Sequence, residues 1–242
     1  MADLVPEGVS RVLVVTAHPD DVDFGAGGTI AAMTSMGISV HYCICTDGDA
    51  GGFDDATNRS EIPAIRRAEQ VAAAGLCGVT DVRFLGYRDG YLEPSHEVQR
   101  DIVRVMRQIL PHLVITQNPE RNWDRLPASH PDHMAAGEAT VRALYPAVRN
   151  PYAYPELRTA EGLEPWTVNW LWLNTNLGAN HFVDTTDTFP RKLAALQAHA
   201  SQTSHMENLE DMIRMWGTTQ AETAGFPQGR VAESFRQIKL PD

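Results

Sequence analysis

The sequence predicts a Rossmann-like α/β fold, a three-layer α/β/α arrangement around a mostly parallel sheet. Three observations carry that expectation. Arg11-Val12-Leu13-Val14-Val15-Thr16 is a continuous apolar, β-branched run, which suits a strand covered on both faces rather than one with a wet side. Helix-period and strand-like segments then alternate as far as a fourth strand at 112–116. Two clusters rich in histidine and aspartate each follow one of these strands, where parallel-sheet folds gather their ligands.

The strand at 11–16 is expected near the centre of the sheet. A helix over 28–36 follows, stopped by Gly37, which tolerates the left-handed conformation that ends helices, and a second strand runs over 38–45. The spacing of Ile65, Ala68, Ala72 and Leu76 predicts a helix over 62–76 with these residues on a common apolar face. Residues 82–85 form a short third strand. An amphipathic helix over 98–110 ends at Pro111, which cannot donate to a helical ladder, and 112–116 is the fourth strand. After a loop, Pro131 opens a helix over 131–145, because its fixed φ and missing N–H suit a first helical turn. The Pro- and aromatic-rich stretch at 145–166 predicts irregular backbone. Late strands over 166–173 and 181–184, read as an antiparallel edge, and helices over 188–200 and 207–216 close the chain. No repeat and no low-complexity stretch divides the 242 residues. One domain over 1–242 is therefore expected, with an irregular insertion near 145–165 and closing C-terminal helices.

Composition excludes several functions. With 43% hydrophobic and 21% charged residues the chain can build a sizeable core. A formal charge of −11 argues against nucleic acid as a partner, since such binding draws on clustered Lys and Arg. The N-terminus lacks a basic n-region, and no apolar run approaches the roughly 20 residues that cross a bilayer, so a cytoplasmic protein without stable membrane insertion is expected. Cys43, Cys45 and Cys77 read as buried free thiols of a reducing compartment. Gly25-Ala26-Gly27-Gly28 lacks phosphate-loop spacing and has acidic neighbours, so these glycines are expected to permit close helix–sheet packing.

The chemistry concentrates in His18-Pro19-Asp20-Asp21 and His130-Pro131-Asp132-His133, which read as one split metal site. Zinc accepts imidazole nitrogen and carboxylate oxygen, and catalytic sites commonly use three protein ligands and keep one position for water. His18, Asp21 and His133 are the expected ligands of one Zn2+ per chain, other divalent metals being alternatives. Asp20 is the expected general base, and His130, at the cap of the second helix, the donor to the oxyanion of a tetrahedral intermediate.

These residues carry a family resemblance. Ala17-His18-Pro19-Asp20-Asp21, Thr46-Asp47-Gly48, Arg66-Arg67-Ala68-Glu69, Phe84-Leu85-Gly86, Asp89-Gly90 and His130-Pro131-Asp132-His133 occur in the order seen in LmbE-like proteins, the PIG-L deacetylases. The late segment Val183-Asp184-Thr185-Thr186-Asp187, Lys192 and His199-Ala200-Ser201-Gln202 is similar too. The resemblance implies zinc-dependent removal of an acetyl group from an N-acetylglucosamine-type sugar on a small-molecule conjugate. It implies the same ligand, base and oxyanion roles as above, and makes Arg66 resemble an arginine that lines the site. Asp47 is a further substrate-binding candidate, with support of the site from behind or a turn with Gly48 as the alternative readings. One departure is Val22, where relatives commonly have an acid, with Asp23 one place later.

Two other functions use the same features: an amidase cleaving a larger sugar-linked amide, and a noncatalytic module that binds a sugar conjugate. Specificity is expected in the loops at 49–60, 86–96, 118–129 and 145–165. Aromatics in the last of these offer either a substrate wall or a contact for homo-oligomerisation.

Overall fold

Strand β1 (Arg11–Thr16) buries both faces: Val12 and Val14 enter one hydrophobic cluster while Leu13 and Val15 enter another on the opposite side of the sheet. This is the physical meaning of its unbroken apolar run. The computed structural model describes residues 4–52, 57–175 and 177–241. Around β1, strands β2 (Ser39–Thr46), β3 (Asp81–Tyr87), β4 (Leu113–Gln117), β5 (Trp170–Asn174), β6 (His181–Asp184) and β7 (Ala232–Lys239) form a seven-stranded sheet of order β3-β2-β1-β4-β5-β7-β6. Strands β1 to β5 are mutually parallel; β7 runs antiparallel to both β5 and β6. The fold is thus the expected α/β arrangement, with β4 at the centre and β1 beside it.

Helices α1 (Asp21–Ser35), α2 (Ile62–Leu76) and α6 (Phe189–Ala198) cover one face, and α3 (His96–Ile109) and α4 (Pro131–Arg142) the other. Short helices α5 (Pro155–Thr159) and α7 (Ala200–Thr203) and the longer α8 (Leu209–Thr223) complete the chain. Ser95 caps α3 by accepting from Val98 N, and Leu110 ends it in the left-handed region at φ 56°. The helix expected over 131–145 ends at Arg142 and passes into a wider turn over Ala143–Ala147, where Pro146 interrupts the ladder.

Three expectations are corrected. Helix α1 starts at Asp21, seven residues before the expected 28, and takes in the glycines, which pack closely as expected. A Cβ on Gly25 would fall 1.9 Å from Asn174 Nδ2, and one on Gly28 would fall 2.8 Å from Thr185 Cβ. Helix α2 has the expected bounds but presents its other face: Ile65 and Leu76 are exposed, while Arg66, Gln70, Ala73 and Ala74 are buried. Polar partners inside the fold outweigh the apolar stripe there. The expected strand β6 is the edge, but the antiparallel pairing there comes from β7, a strand absent from the sequence reading, which inserts between β5 and β6.

Helices α1 and α4 leave neighbouring strands for opposite faces of the sheet. The chain direction of winding reverses between β1 and β4, which opens a crevice at their carboxyl ends, and both histidine clusters sit there.

Candidate metal centre and active site

The loop after β1 delivers His18, Asp20 and Asp21 in one turn. Thr46 Oγ1 and Thr46 N both donate to Ala17 O, and Ala17 N donates to Gln117 Oε1, so neighbouring strands anchor the start of the loop. On the other side of the crevice, Pro131 starts α4, His130 caps it by accepting from Asp132 N at 3.3 Å, and His133 lies in its first turn.

The three expected ligands converge. Asp21 places Oδ2 3.3 Å from His18 Nδ1 and Oδ1 3.0 Å from His133 Nε2. Donors on one zinc lie about 2.0–2.2 Å from it, and atoms sharing an ion at that radius are separated by distances of this order. One ligating atom from each of His18, His130 and His133 also lies within 4.8 Å of the others. Behind His18, Nε2 meets Asp89 Oδ1 at 3.0 Å and Asp132 Oδ2 at 3.2 Å. Asp132 is itself fixed by N–H groups of Gly90 at 2.7 Å and Leu92 at 3.3 Å. A carboxylate behind a ligating imidazole orients the ring and raises its basicity.

The charge balance fits a cation. Burial opposes a charge on His18, yet Asp21, Asp132 and Asp89 outweigh it and raise its pKa to about 12. Burial likewise opposes the shifts at Asp21 and His133, but each stabilises the other's charge, lowering the carboxyl well below its usual range and raising the imidazole. These carboxylates thus draw positive charge toward the meeting point of His18, Asp21 and His133, and a divalent ion answers the same demand. The donor set and its spacing fit zinc.

His130 differs in kind. Burial and the neighbouring His18 and His133 lower its pKa, so the ring is neutral, and because Nδ1 accepts from Asp132 N the hydrogen sits on Nε2. That leaves Nε2 as a donor beside the ligand set.

Asp20 has φ 96° and ψ −29°, a left-handed conformation for a non-glycine residue that costs on the order of 1–3 kcal/mol. Burial, then the Asp21 carboxylate, raise its pKa to about 6 against the opposing pull of Arg66. Arg66 donates through Nη2 to Asp20 Oδ2 at 3.0 Å and Pro19 O at 2.5 Å, and through Nη1 to Gly48 O at 3.0 Å. Both terminal nitrogens of its guanidinium are engaged inside the fold, which puts Arg66 behind Asp20.

A cavity of about 450 Å³ opens beside the expected ligands, with Asp21 and His133 at its wall and Asn118, Asn174, Lys192 and Trp216 farther along. Asp47 does not line it: its carboxylate accepts from Arg67 Nε at 3.0 Å and borders a separate surface depression with Arg59 and Tyr87. Of the loops expected to set specificity, 118–129 contributes to the cavity wall, whereas 53–56 lie outside the described residues. Helix α8, through Ile213, Trp216 and Gln220, is a wall that the sequence reading did not foresee. Asp89, Gln70 and the pairing role of Asp132 were also missed. The signal for Asp89 and Asp132 was present in the quoted motifs, but Gln70 gave none.

The family model described as PIG-L, GlcNAc-PI de-N-acetylase, matches residues 13–144. The chain is 32% identical to a diacetylchitobiose deacetylase of Thermococcus kodakarensis, over 86% of this chain and 74% of that one. It is 36% identical to a probable N-acetyl-alpha-D-glucosaminyl L-malate deacetylase 2 of Bacillus cereus, over 83% of this chain and 86% of that one. Among solved structures, the N,N'-diacetylchitobiose deacetylase of Pyrococcus horikoshii in complex with an inhibitor superposes with a TM-score of 0.87 at 31% identity. That match covers 96% of this chain and 85% of the other.

Proposed function

Because the chain belongs to the PIG-L family, we propose that it is a zinc-dependent N-deacetylase that removes the acetyl group from an N-acetylglucosamine-type sugar on a small-molecule conjugate. The observation that carries this reading is the Asp21 carboxylate lying between His18 Nδ1 and His133 Nε2 at the wall of a cavity, with a second, unliganded carboxylate one residue away. His18, Asp21 and His133 would hold the ion. When bound, zinc acidifies a water molecule and polarises an amide carbonyl.

The remaining steps fall to side chains of this chain. Asp20, with a carboxyl pKa raised to about 6, accepts a proton from the attacking water and delivers it to the departing amine. His130 Nε2–H donates to the carbonyl oxygen as it gains charge. Arg66 holds the Asp20 carboxylate in place, and Asp132 and Asp89 hold His18. The cavity beyond Asp21 and His133 is of a size to take the rest of the conjugate. Relatives acting on diacetylchitobiose and on a glucosaminyl malate support an amino-sugar substrate and leave the acceptor to experiment.

The test is to load the purified protein with zinc and offer N,N'-diacetylchitobiose and an N-acetylglucosaminyl malate. Equimolar acetate and free amine are expected from at least one. A larger acid released in place of acetate would identify the amidase, and binding without any product would identify the noncatalytic module.

A further inference from the structure

We propose that Gln70, Asp23 and His199 are positioning residues, a buried hydrogen-bond chain that holds Asp20 in its left-handed backbone conformation. The proposal rests on the reading of Asp20 as general base. A non-glycine residue at φ 96° does not stay there by its own preference, so surrounding groups must determine it. Asp20 is tied at three points. Its carbonyl accepts from Asp23 N at 2.9 Å and Phe24 N at 3.1 Å, which belongs to the start of α1; its carboxylate is held by Arg66; and its N–H donates to Gln70 Oε1 at 2.8 Å.

The third tie leads inward. The other end of the Gln70 amide donates through Nε2 to Asp23 Oδ2 at 2.9 Å, and His199 Nε2 reaches the same oxygen at 2.8 Å. Each direction is set by the partners: a backbone N–H only donates and a carboxylate only accepts. The Gln70 amide cannot turn over without losing both bonds, and the His199 hydrogen must sit on Nε2. Gln70, Asp23 and His199 are each 0% exposed, so water does not compete for these groups.

The chain joins three separate parts of the fold, the first turn of α1, the inner face of α2, and His199 between α6 and α7. None of the three side chains lines the cavity, so their influence on the reaction passes through Asp20. Helix α2 exposes Ile65 and Leu76 while turning Gln70 inward beside Ala73 and Ala74, an arrangement that gives up the burial of two large apolar side chains. The same network accounts for the departure after the first motif: Val22 joins the hydrophobic cluster, and Asp23 is the acid that turns inward to Gln70 and His199. His199 lies beyond residues 13–144 matched by the family model, so the C-terminal part of the chain completes the support of the base.

The experiment compares zinc-loaded full-length wild type, Gln70→Leu, Asp23→Ala and Asp23→Asn, with N,N'-diacetylchitobiose as substrate and zinc affinity measured separately by chelator competition. Gln70→Leu and Asp23→Ala are expected to lower kcat per zinc-loaded site about 10–100-fold, with KM and zinc affinity unchanged, because a displaced catalytic group costs rate rather than binding. Asp23→Asn, whose amide oxygen still accepts from Gln70 and His199, is expected to keep most of the rate. A crystal structure of Gln70→Leu should show Asp20 at negative φ, a readout that needs no substrate. An unchanged kcat per loaded site, or an Asp20 still at positive φ, overturns the proposal, whatever happens to the melting temperature. If Gln70→Leu does not fold, His199→Asn, which breaks the far end of the chain, is judged by the same criteria. An Asp20→Asn enzyme with wild-type kcat would instead overturn the base assignment itself, and so the two failures are distinguishable.

Discussion

Asp132 stands 3.2 Å behind Nε2 of His18, on the opposite side of the ring from Asp21. Its oxygens also collect the Gly90 and Leu92 amides, so the carboxylate is anchored from the loop after β3 while belonging to α4. The link spans the crevice: an acid from one cluster orients the imidazole of the other.

Asp132→Asn is therefore expected to weaken zinc binding by roughly 10–100-fold, the usual cost of losing such a partner. Competition against a chelator of known affinity measures it. An unchanged affinity would mean that Asp89, at 3.0 Å, orients His18 alone.

Asp20→Asn should keep zinc but lose its rate, by about 10²–10⁴-fold in kcat. Metal content and acetate release measured on the same preparation separate the two effects. A loss of only a few-fold would transfer the base role to another group.

Removing the guanidinium in Arg66→Met leaves the Asp20 carboxylate and the Pro19 and Gly48 carbonyls without their donor. Arg66 is buried, with 4% of its side chain exposed, so a loss of about 3–5 kcal/mol is expected in urea unfolding. A surface-like change below about 1 kcal/mol would be incompatible with this placement.

The cysteines yield a pH prediction. Burial pushes the Cys43 and Cys77 thiols from 9.0 up to about 12 and raises Cys45 well above its usual range. The folded state thus favours the neutral thiols, so their contribution to stability is complete below about pH 9 and is lost as pH rises toward 12. Urea midpoints should fall across that window, and a thiol reagent at pH 8 should label all three cysteines only after unfolding. Fast labelling of the native protein would contradict their burial.

Much of the architecture was legible in the chain. β1 announced itself because both faces are buried, so the run from Val12 to Val15 had to be apolar, and the histidine clusters followed strand ends that could be located. Helix α2 was legible in length but not in orientation. Periodicity counts apolar residues, and here the buried stripe contains Arg66 and Gln70, whose partners lie far away in sequence. β7 escaped because Ala232–Lys239 mixes charged and apolar residues, as a strand with a wet end can, and its pairing with β5 and β6 is long-range.

By itself, then, the sequence determined which residue types could bind a cation and move a proton, because ligand chemistry and spacing within a tight turn are local properties. Only the tertiary structure decided which atom of each imidazole faces which carboxylate, that Asp20 adopts a left-handed backbone, and that a glutamine and a histidine from distant helices hold the network around it. Those are matters of approach between segments dozens to hundreds of residues apart. Burial makes each such hydrogen bond costly to leave unmade, and that cost is settled when the whole core closes.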